Sequence, residues 1–230
     1  AQKAYVRPDL ASDGQRLEER LKREVGASQR PFATLLRDGN AALARGDARN
    51  ALPLANAAAM AEPANPAGWR LMAQAAIGIE PRDYRERYEL RERAISAAYL
   101  AYQRSTSRPD EASSLGVLAR VFEKHELWRP ALTTYRLSLD LADNASLRTD
   151  YEALRAQRGF RLLSNKVDSD AASPRACFEF SEPLSRGRVD FTPYVAITGK
   201  GDFAVTGEER QLCVDGLRHG ERYGFVIRQG

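Results

Sequence analysis

Residues that carry out covalent or metal chemistry are scarce in this sequence. Its 230 residues include only two cysteines and two histidines. Neither cysteine has a Cys-x-x-Cys partner or a histidine at ligand spacing. No serine-hydrolase, zinc-protease, P-loop or dinucleotide-binding motif is present, and the paired carboxylates Glu18-Glu19 and Glu208-Glu209 are adjacent, so they point apart. We therefore expect a protein that is not an enzyme and needs no cofactor and no metal.

Long apolar runs and a strong excess of one charge are missing too. No run approaches the roughly 18 residues that span a membrane. The net charge is +4, but acids and arginines alternate, as in RDYRERYELRER, and no basic stripe with interleaved aromatics is present. We expect no membrane span and no nucleic-acid partner. The first residues, AQKAYVRP, contain no signal peptide and resemble what remains after cleavage behind an Ala-x-Ala site.

The spacing of apolar residues changes near residue 159. From about residue 30 to 158 they recur every three or four residues, which predicts helices; after that come short alternating runs such as CFEF, YVAI and QLCV, which predict strands. We predict an α + β multidomain chain. Residues 1–28 form a charged linker or capping helix, residues 29–158 a helical domain, and residues 159–230 a small antiparallel β-sandwich.

The helical part repeats, which predicts an array of helix pairs. Small and large residues recur in compatible register in three copies, which begin at Leu35, Trp69 and Leu115. The second helix of each copy carries small residues, as at Ala51, Ala55 and Ala58, and Pro63 ends the first copy. This spacing resembles the tetratricopeptide repeat, in which two antiparallel helices interlock. The middle copy carries an insertion around GIEPRDYRE.

Such arrays bind partners on the concave surface formed by their first helices. In this register, five residues between the packing positions face that surface: Asn40, Arg70, Gln74, Arg120 and Glu123. The arginine forks are suited to carboxylates or C-termini of a protein partner. The alternative, that these five side chains are merely solvated, stays open at this point.

The β part contains six short predicted strands. GKGD at 199–202 is expected to form a hairpin turn, and DGLRHG at 215–220 a second turn. Cys177 and Cys213 each lie on an apolar strand and could form a disulfide, which requires an oxidising compartment. Two buried reduced thiols are the alternative.

The β part also resembles the N-terminal region of bacterial α2-macroglobulin-like proteins of the large periplasmic branch. A strand with Cys and Phe-Ser-x-x-Leu, a Tyr-Val-x-Ile strand, and a Gln-Leu-Cys-Val-x-Gly-Leu-x-x-Gly-x-x-Tyr stretch carry the resemblance. The matching residues are Cys177, Phe180, Ser181, Leu184, Tyr194, Val195, Ile197, Leu212, Cys213, Gly216, Leu217, Gly220, Tyr223, Arg228 and Gly230. Helical repeats before the β part fit the same branch.

The resemblance implies a non-catalytic N-terminal region of a much longer periplasmic protease inhibitor. Proteins of this family are thought to trap proteases after cleavage of a bait region, often through a thioester, and neither feature is recognisable in this sequence. Partners would be proteases, through the whole protein, and periplasmic or peptidoglycan-synthesis proteins. The alternative is a free-standing periplasmic adaptor whose helical groove binds a peptide. The sequence ends directly after an apolar strand, which favours the first interpretation.

Overall fold

The computed structural model describes residues 3–26, 30–184 and 189–228. The chain forms two compact units that meet in sequence at Gly159 and Phe160. The first unit is helical, and the second contains two small antiparallel sheets. The chain is therefore an α + β protein, as predicted. The expected boundary at residues 28 and 29 and the motif residue Gly230 lie outside the described residues.

Eight helices lie within the described part of the first unit, and short connections join six of them into three pairs. They are α1 Pro8–Val25, α2 Phe32–Ala44, α3 Ala48–Ala61, α4 Pro66–Gly78, α5 Tyr84–Arg104, α6 Arg108–Lys124, α7 Trp128–Leu141 and α8 Ala145–Arg158. The pairs are α2 with α3, α4 with α5 and α6 with α7. The first helices also contact each other in order, α2 with α4 and α4 with α6, so the pairs stack side by side.

Helix α1 belongs to the helical unit and packs chiefly on α5. Its residues Leu10, Leu17 and Leu21 are buried in the core. The segment before it is held by two tyrosines of α5, because the Tyr102 hydroxyl accepts a hydrogen bond from a backbone N–H at 2.9 Å and the Tyr99 hydroxyl accepts another at the same distance.

The small and large packing positions of the three repeat copies are buried, whereas Asp38, at a register position of the first copy, is half-buried; the repeat type itself stays a prediction. In the first helices these are Leu35, Gly39, Ala42, Trp69, Ala73, Ala76, Leu115, Ala119 and Phe122. In the second helices they are Ala51, Ala55, Ala58, Ala94, Ala98, Ala101, Ala131, Tyr135 and Ser138.

The alanine face of α3 allows α4 to approach its backbone closely. A Cβ on Gly68, in the first turn of α4, would lie 2.9 Å from the backbone nitrogen of Ala59, closer than such atoms can come. The turn before α4 is fixed by the Trp69 indole, whose N–H donates to the Pro63 carbonyl oxygen at 2.8 Å. Small residues on both helices are therefore what brings α3 and α4 together.

We expect Gly68→Ala to lower the free energy of unfolding of the helical unit by about 1–3 kcal/mol, because the new methyl group meets backbone atoms that cannot move aside. Without this contact, the same change inside a helix would stabilise the protein by roughly 0.5–1 kcal/mol. The sign of the change in unfolding free energy, measured by chemical denaturation, therefore shows whether α3 and α4 approach this closely. A stabilised Gly68→Ala variant would contradict the close approach of α3 and α4.

The described part of the second unit contains six strands: β1 Leu162–Asp168, β2 Arg175–Phe180, β3 Val195–Thr198, β4 Ala204–Glu208, β5 Gln211–Asp215 and β6 Gly224–Ile227. One antiparallel sheet has the order β1-β2-β5-β4, and the other pairs β3 with β6. Apolar residues of both sheets form one core, in which the rings of Phe178 and Phe225 meet edge to face at 5.3 Å.

The expected hairpin at GKGD, residues 199–202, is wrong. This segment connects β3 of the two-stranded sheet to β4 of the four-stranded sheet, because β3 pairs with β6 and β4 pairs with β5. The tight hairpin is instead at Glu209 and Arg210, between β4 and β5, where Glu209 has a φ of 48°. Glycine-rich spacing marks a turn in the sequence, but it does not say which strands the turn joins.

Candidate functional site

A groove of about 550 Å³ runs across the first helices of the repeat pairs and the start of α8. The half-buried Leu36 and the exposed Pro109 provide accessible apolar surface above the buried Leu71, and Ser113 and Asn144 provide polar atoms. Four of the five residues predicted for a partner-binding surface line this one groove: Asn40, Arg70, Gln74 and Arg120. The stacking of the pairs thus brings together side chains from α2, α4 and α6.

The two arginines of the groove are paired within the protein. Arg70 Nη1 lies 3.3 Å from Asp110 and 3.1 Å from the Ser114 hydroxyl. Arg120 donates through Nε at 3.0 Å and Nη2 at 2.8 Å to one carboxylate oxygen of Asp150. A partner carboxylate would therefore have to compete with these aspartates. The guanidinium groups that were expected to be open to a partner are already bound to carboxylates of this chain.

The two amides of the groove differ in what they bind. Asn40 donates to the carbonyl oxygen of Leu36 at 2.8 Å, one turn earlier in α2. The half-buried Gln74 side chain has no hydrogen-bond partner within the described part of the chain. Its amide can both donate and accept, as a polypeptide backbone requires.

Glu123 is not part of the groove. Its carboxylate accepts a hydrogen bond of 2.5 Å from the hydroxyl of Tyr135, a fully buried residue of α7. Burial and this carboxylate raise the pKa of Tyr135. Glu123 therefore joins α6 to α7, and its place in the repeat register did not distinguish the groove side from the inner side of the helix.

The end of the groove comes from residues outside the repeat register. Ala142, Asp143 and Asn144 form the turn before α8, and Leu147 follows in its first turn. The Asn144 side chain caps α8 by accepting a hydrogen bond from the backbone N–H of Leu147 at 3.0 Å. An asparagine before an apolar helical pattern is a helix-start signal, and it could have located this end of the groove.

The predicted disulfide is confirmed. Cys177 of β2 and Cys213 of β5 are directly opposite each other in the antiparallel pair, with Cα atoms 4.0 Å apart, and their sulfur atoms are bonded. The bond therefore links the two central strands of the four-stranded sheet. A disulfide is compatible with a location outside the cytoplasm.

We expect Cys177→Ala/Cys213→Ala to lower the free energy of unfolding of the β unit by about 3–4 kcal/mol, from the loop entropy of a bond that spans 36 residues. Thermal unfolding with and without reductant measures this loss, and the helical transition serves as the internal control. Alkylation of the denatured, unreduced protein should modify no cysteine. Two modified cysteines would contradict the disulfide.

Residues 3–26, 30–184 and 189–228 lack two further features. None of the helices there is long and apolar enough to cross a membrane. Within the same ranges, histidine, cysteine and acidic side chains do not gather in groups of three or more that could hold a metal ion.

Comparisons with known proteins give little similarity. No protein-family model matches the sequence, and no curated protein matches it. A solved structure with some similarity is the crystal structure of the N-terminal part of the bacterial S-layer protein SbsC, with 15% identity and a TM-score of 0.23. The alignment covers 99% of this chain and 54% of that chain, so this protein spans about half its length. At this TM-score the similarity supports no conclusion about the fold or the function of this chain.

Proposed function

We propose that this chain is a non-catalytic interaction region that acts outside the cytoplasm and binds a segment of a protein partner in the groove of its helical unit. The groove carries this proposal, because it unites side chains from three repeat copies in a concave, partly apolar surface. Its length across the repeats suits an extended segment, and the amide of Gln74 suits a polypeptide backbone. The disulfide supports an extracytoplasmic location.

We infer further that the parent protein is an α2-macroglobulin-like protease inhibitor of the bacterial periplasm. Several residues that carry this resemblance have structural roles in the β unit. Phe180, Leu212 and Leu217 are buried in its core, and Cys177 and Cys213 are bonded. A motif whose members form the core and the disulfide fits a domain type better than a chance match.

The glycines and the tyrosine of the same motif organise one connection. Gly216 has a φ of 89°, and a Cβ there would lie 2.2 Å from the carbonyl oxygen of Asp202, so only glycine fits. The Tyr223 hydroxyl accepts a hydrogen bond from the backbone N–H of Arg218 at 2.9 Å. The spacing of glycine and tyrosine thus has a physical reason in the connection between β5 and β6.

Photo-crosslinking tests the groove. A photoreactive phenylalanine that replaces Gln74 should crosslink a protein partner in an extract of the native cell, whereas the same residue at the exposed Arg37 should not. Adding Ser113→Trp, which fills the groove, should remove the crosslink, and Ala41→Trp on an exposed part of α2 should leave it. Equal crosslinking from both positions, or none from Gln74, would overturn the groove proposal.

The size of the natural polypeptide tests whether this chain is part of a longer, α2-macroglobulin-like protein. In a periplasmic extract, an antibody raised against this 25.6 kDa segment should detect a band several times larger, as the α2-macroglobulin-like interpretation requires. A band near 25.6 kDa would end that interpretation and favour the alternative, a free-standing periplasmic adaptor. Neither result bears on the groove proposal, because the crosslinks test that proposal independently.

A further inference from the structure

The insertion in the middle repeat forms an extension of α5. Helix α5 has 21 residues, whereas its counterparts α3 and α7 have 14 each, so it is about two turns longer. The additional turns precede Ala94, the first small packing position of this helix. They therefore extend past the part of α5 that packs against its neighbours at Ala94, Ala98 and Ala101.

The extension is firmly held. Asp83 caps it by accepting a hydrogen bond from the backbone N–H of Glu86 at 2.8 Å. Arg49 of α3 donates to both carboxylate oxygens of Glu86, at 2.7 and 3.1 Å, and this pairing lowers the pKa of Glu86 to about 2. The backbone N–H of Arg82 donates to the same carboxylate at 2.6 Å. Several polar contacts therefore fix the first two turns of α5, although these turns contribute little to the core.

The outer face of the extension carries two exposed tyrosines. Tyr84 and Tyr88 are one turn apart, and they remain 80% and 57% exposed. Both rings line a pocket of about 390 Å³ between the extension and the turn that joins α6 to α7. Tyrosine contributes strongly to protein interfaces because it offers a large, rigid surface with a polar end. Two such side chains held open on a fixed helix point to a binding surface.

The pocket walls carry unpaired positive charge. Arg87 and Arg91, also one turn apart on α5, face Lys124 at the end of α6. Within the described ranges none of these three has an acidic partner, in contrast to Arg70 and Arg120 of the groove. Unpaired cations around one pocket attract an anionic group.

The remaining charged and titratable groups of the pocket narrow the choice of ligand. His125 is uncharged at neutral pH, since burial, Arg91 and Lys124 lower its pKa to about 4. Glu126 places one carboxylate in the same wall. That carboxylate would repel a continuous polyanion such as a nucleic acid or a sulfated glycan, whereas a polypeptide can place a backbone N–H or a lysine beside it.

We propose that this pocket is a second binding site, which takes an acidic segment of a polypeptide partner. Carboxylates of the segment pair with Arg87 and Arg91, and an apolar side chain packs against Tyr84 and Tyr88. The pocket shares no lining residue with the groove, so the two sites differ in both place and chemistry. The proposal holds whether or not the groove binds a partner.

A synthetic peptide tests this site in the full chain. The probe is the fluorescein-labelled peptide Gly-Glu-Asp-Phe-Glu-Asp-Leu-Gly, with a matched peptide in which glutamine and asparagine replace the acids. Fluorescence anisotropy should show binding of the acidic peptide at least about ten times tighter than of the amide peptide, and this difference should shrink as salt is added.

Variants locate the binding. Arg87→Gln/Arg91→Gln should weaken it at least about tenfold, and Tyr84→Ala should weaken it by a factor of about three or more. Arg37→Gln/Arg85→Gln removes the same charge from two exposed arginines outside the pocket and should change it less than about twofold. Ser113→Trp, which fills the groove, should leave it unchanged. Arg91 is half-buried and the other substituted positions are exposed, so the variants should keep close to the thermal stability of the natural sequence, which a thermal unfolding curve checks.

Three results would overturn the proposal. One is absence of binding by the acidic peptide up to about 1 mM. Another is binding that survives Arg87→Gln/Arg91→Gln but is lost in Ser113→Trp, which would place it in the groove. The third is a heparin-derived oligosaccharide that binds through Arg87 and Arg91 while the peptide does not, which would make the site one for anionic glycans.

Discussion

Close approach of helix backbones through alanine and glycine is the constraint on which the helical unit depends. Where Gly68 of α4 meets Ala58 and Ala59 of α3, no side chain separates the two helices. Packing at this distance tolerates little change, because protein interiors are close-packed and an added methyl group has nowhere to go. The approach of one helix pair to the next, at α3 and α4, is therefore set by small residues, and larger residues such as Trp69 and Phe122 are buried in the same core.

A rigid array of this kind leaves its surface free to vary. The groove forms because the first helices stack in order, so a side chain from each copy reaches the same surface. The Tyr84–Arg91 extension forms because one copy carries additional turns that the array does not need for packing. Neither feature alters the buried positions, which explains how one helical scaffold can carry two surfaces of different chemistry.

Much of the fold was predictable, since apolar spacing is a local property of the sequence. The change of period at residue 159, the buried repeat positions and the six strands all follow from it. Contacts between distant residues were not predictable in the same way. The pairing of Arg120 with Asp150, and of Arg49 with Glu86, depends on where separate helices place these side chains. The hairpin expected at residues 199–202 failed for the same reason, because strand partners are a property of the whole sheet.

Charge is used in opposite ways at the two surfaces. In the groove, Arg70 and Arg120 are held by Asp110 and Asp150, so a ligand that offered only carboxylates would replace one ion pair with another and gain little. A ligand of the groove would instead gain from apolar contact with Leu36 and Pro109 and from hydrogen bonds to Gln74. In the pocket, Arg87 and Arg91 have no such partner among residues 3–26, 30–184 and 189–228, so a ligand carboxylate there would form a new ion pair rather than replace an existing one. Under the two proposals, an acidic segment would gain at the pocket and a neutral one at the groove, so charge alone would distinguish the two partner segments.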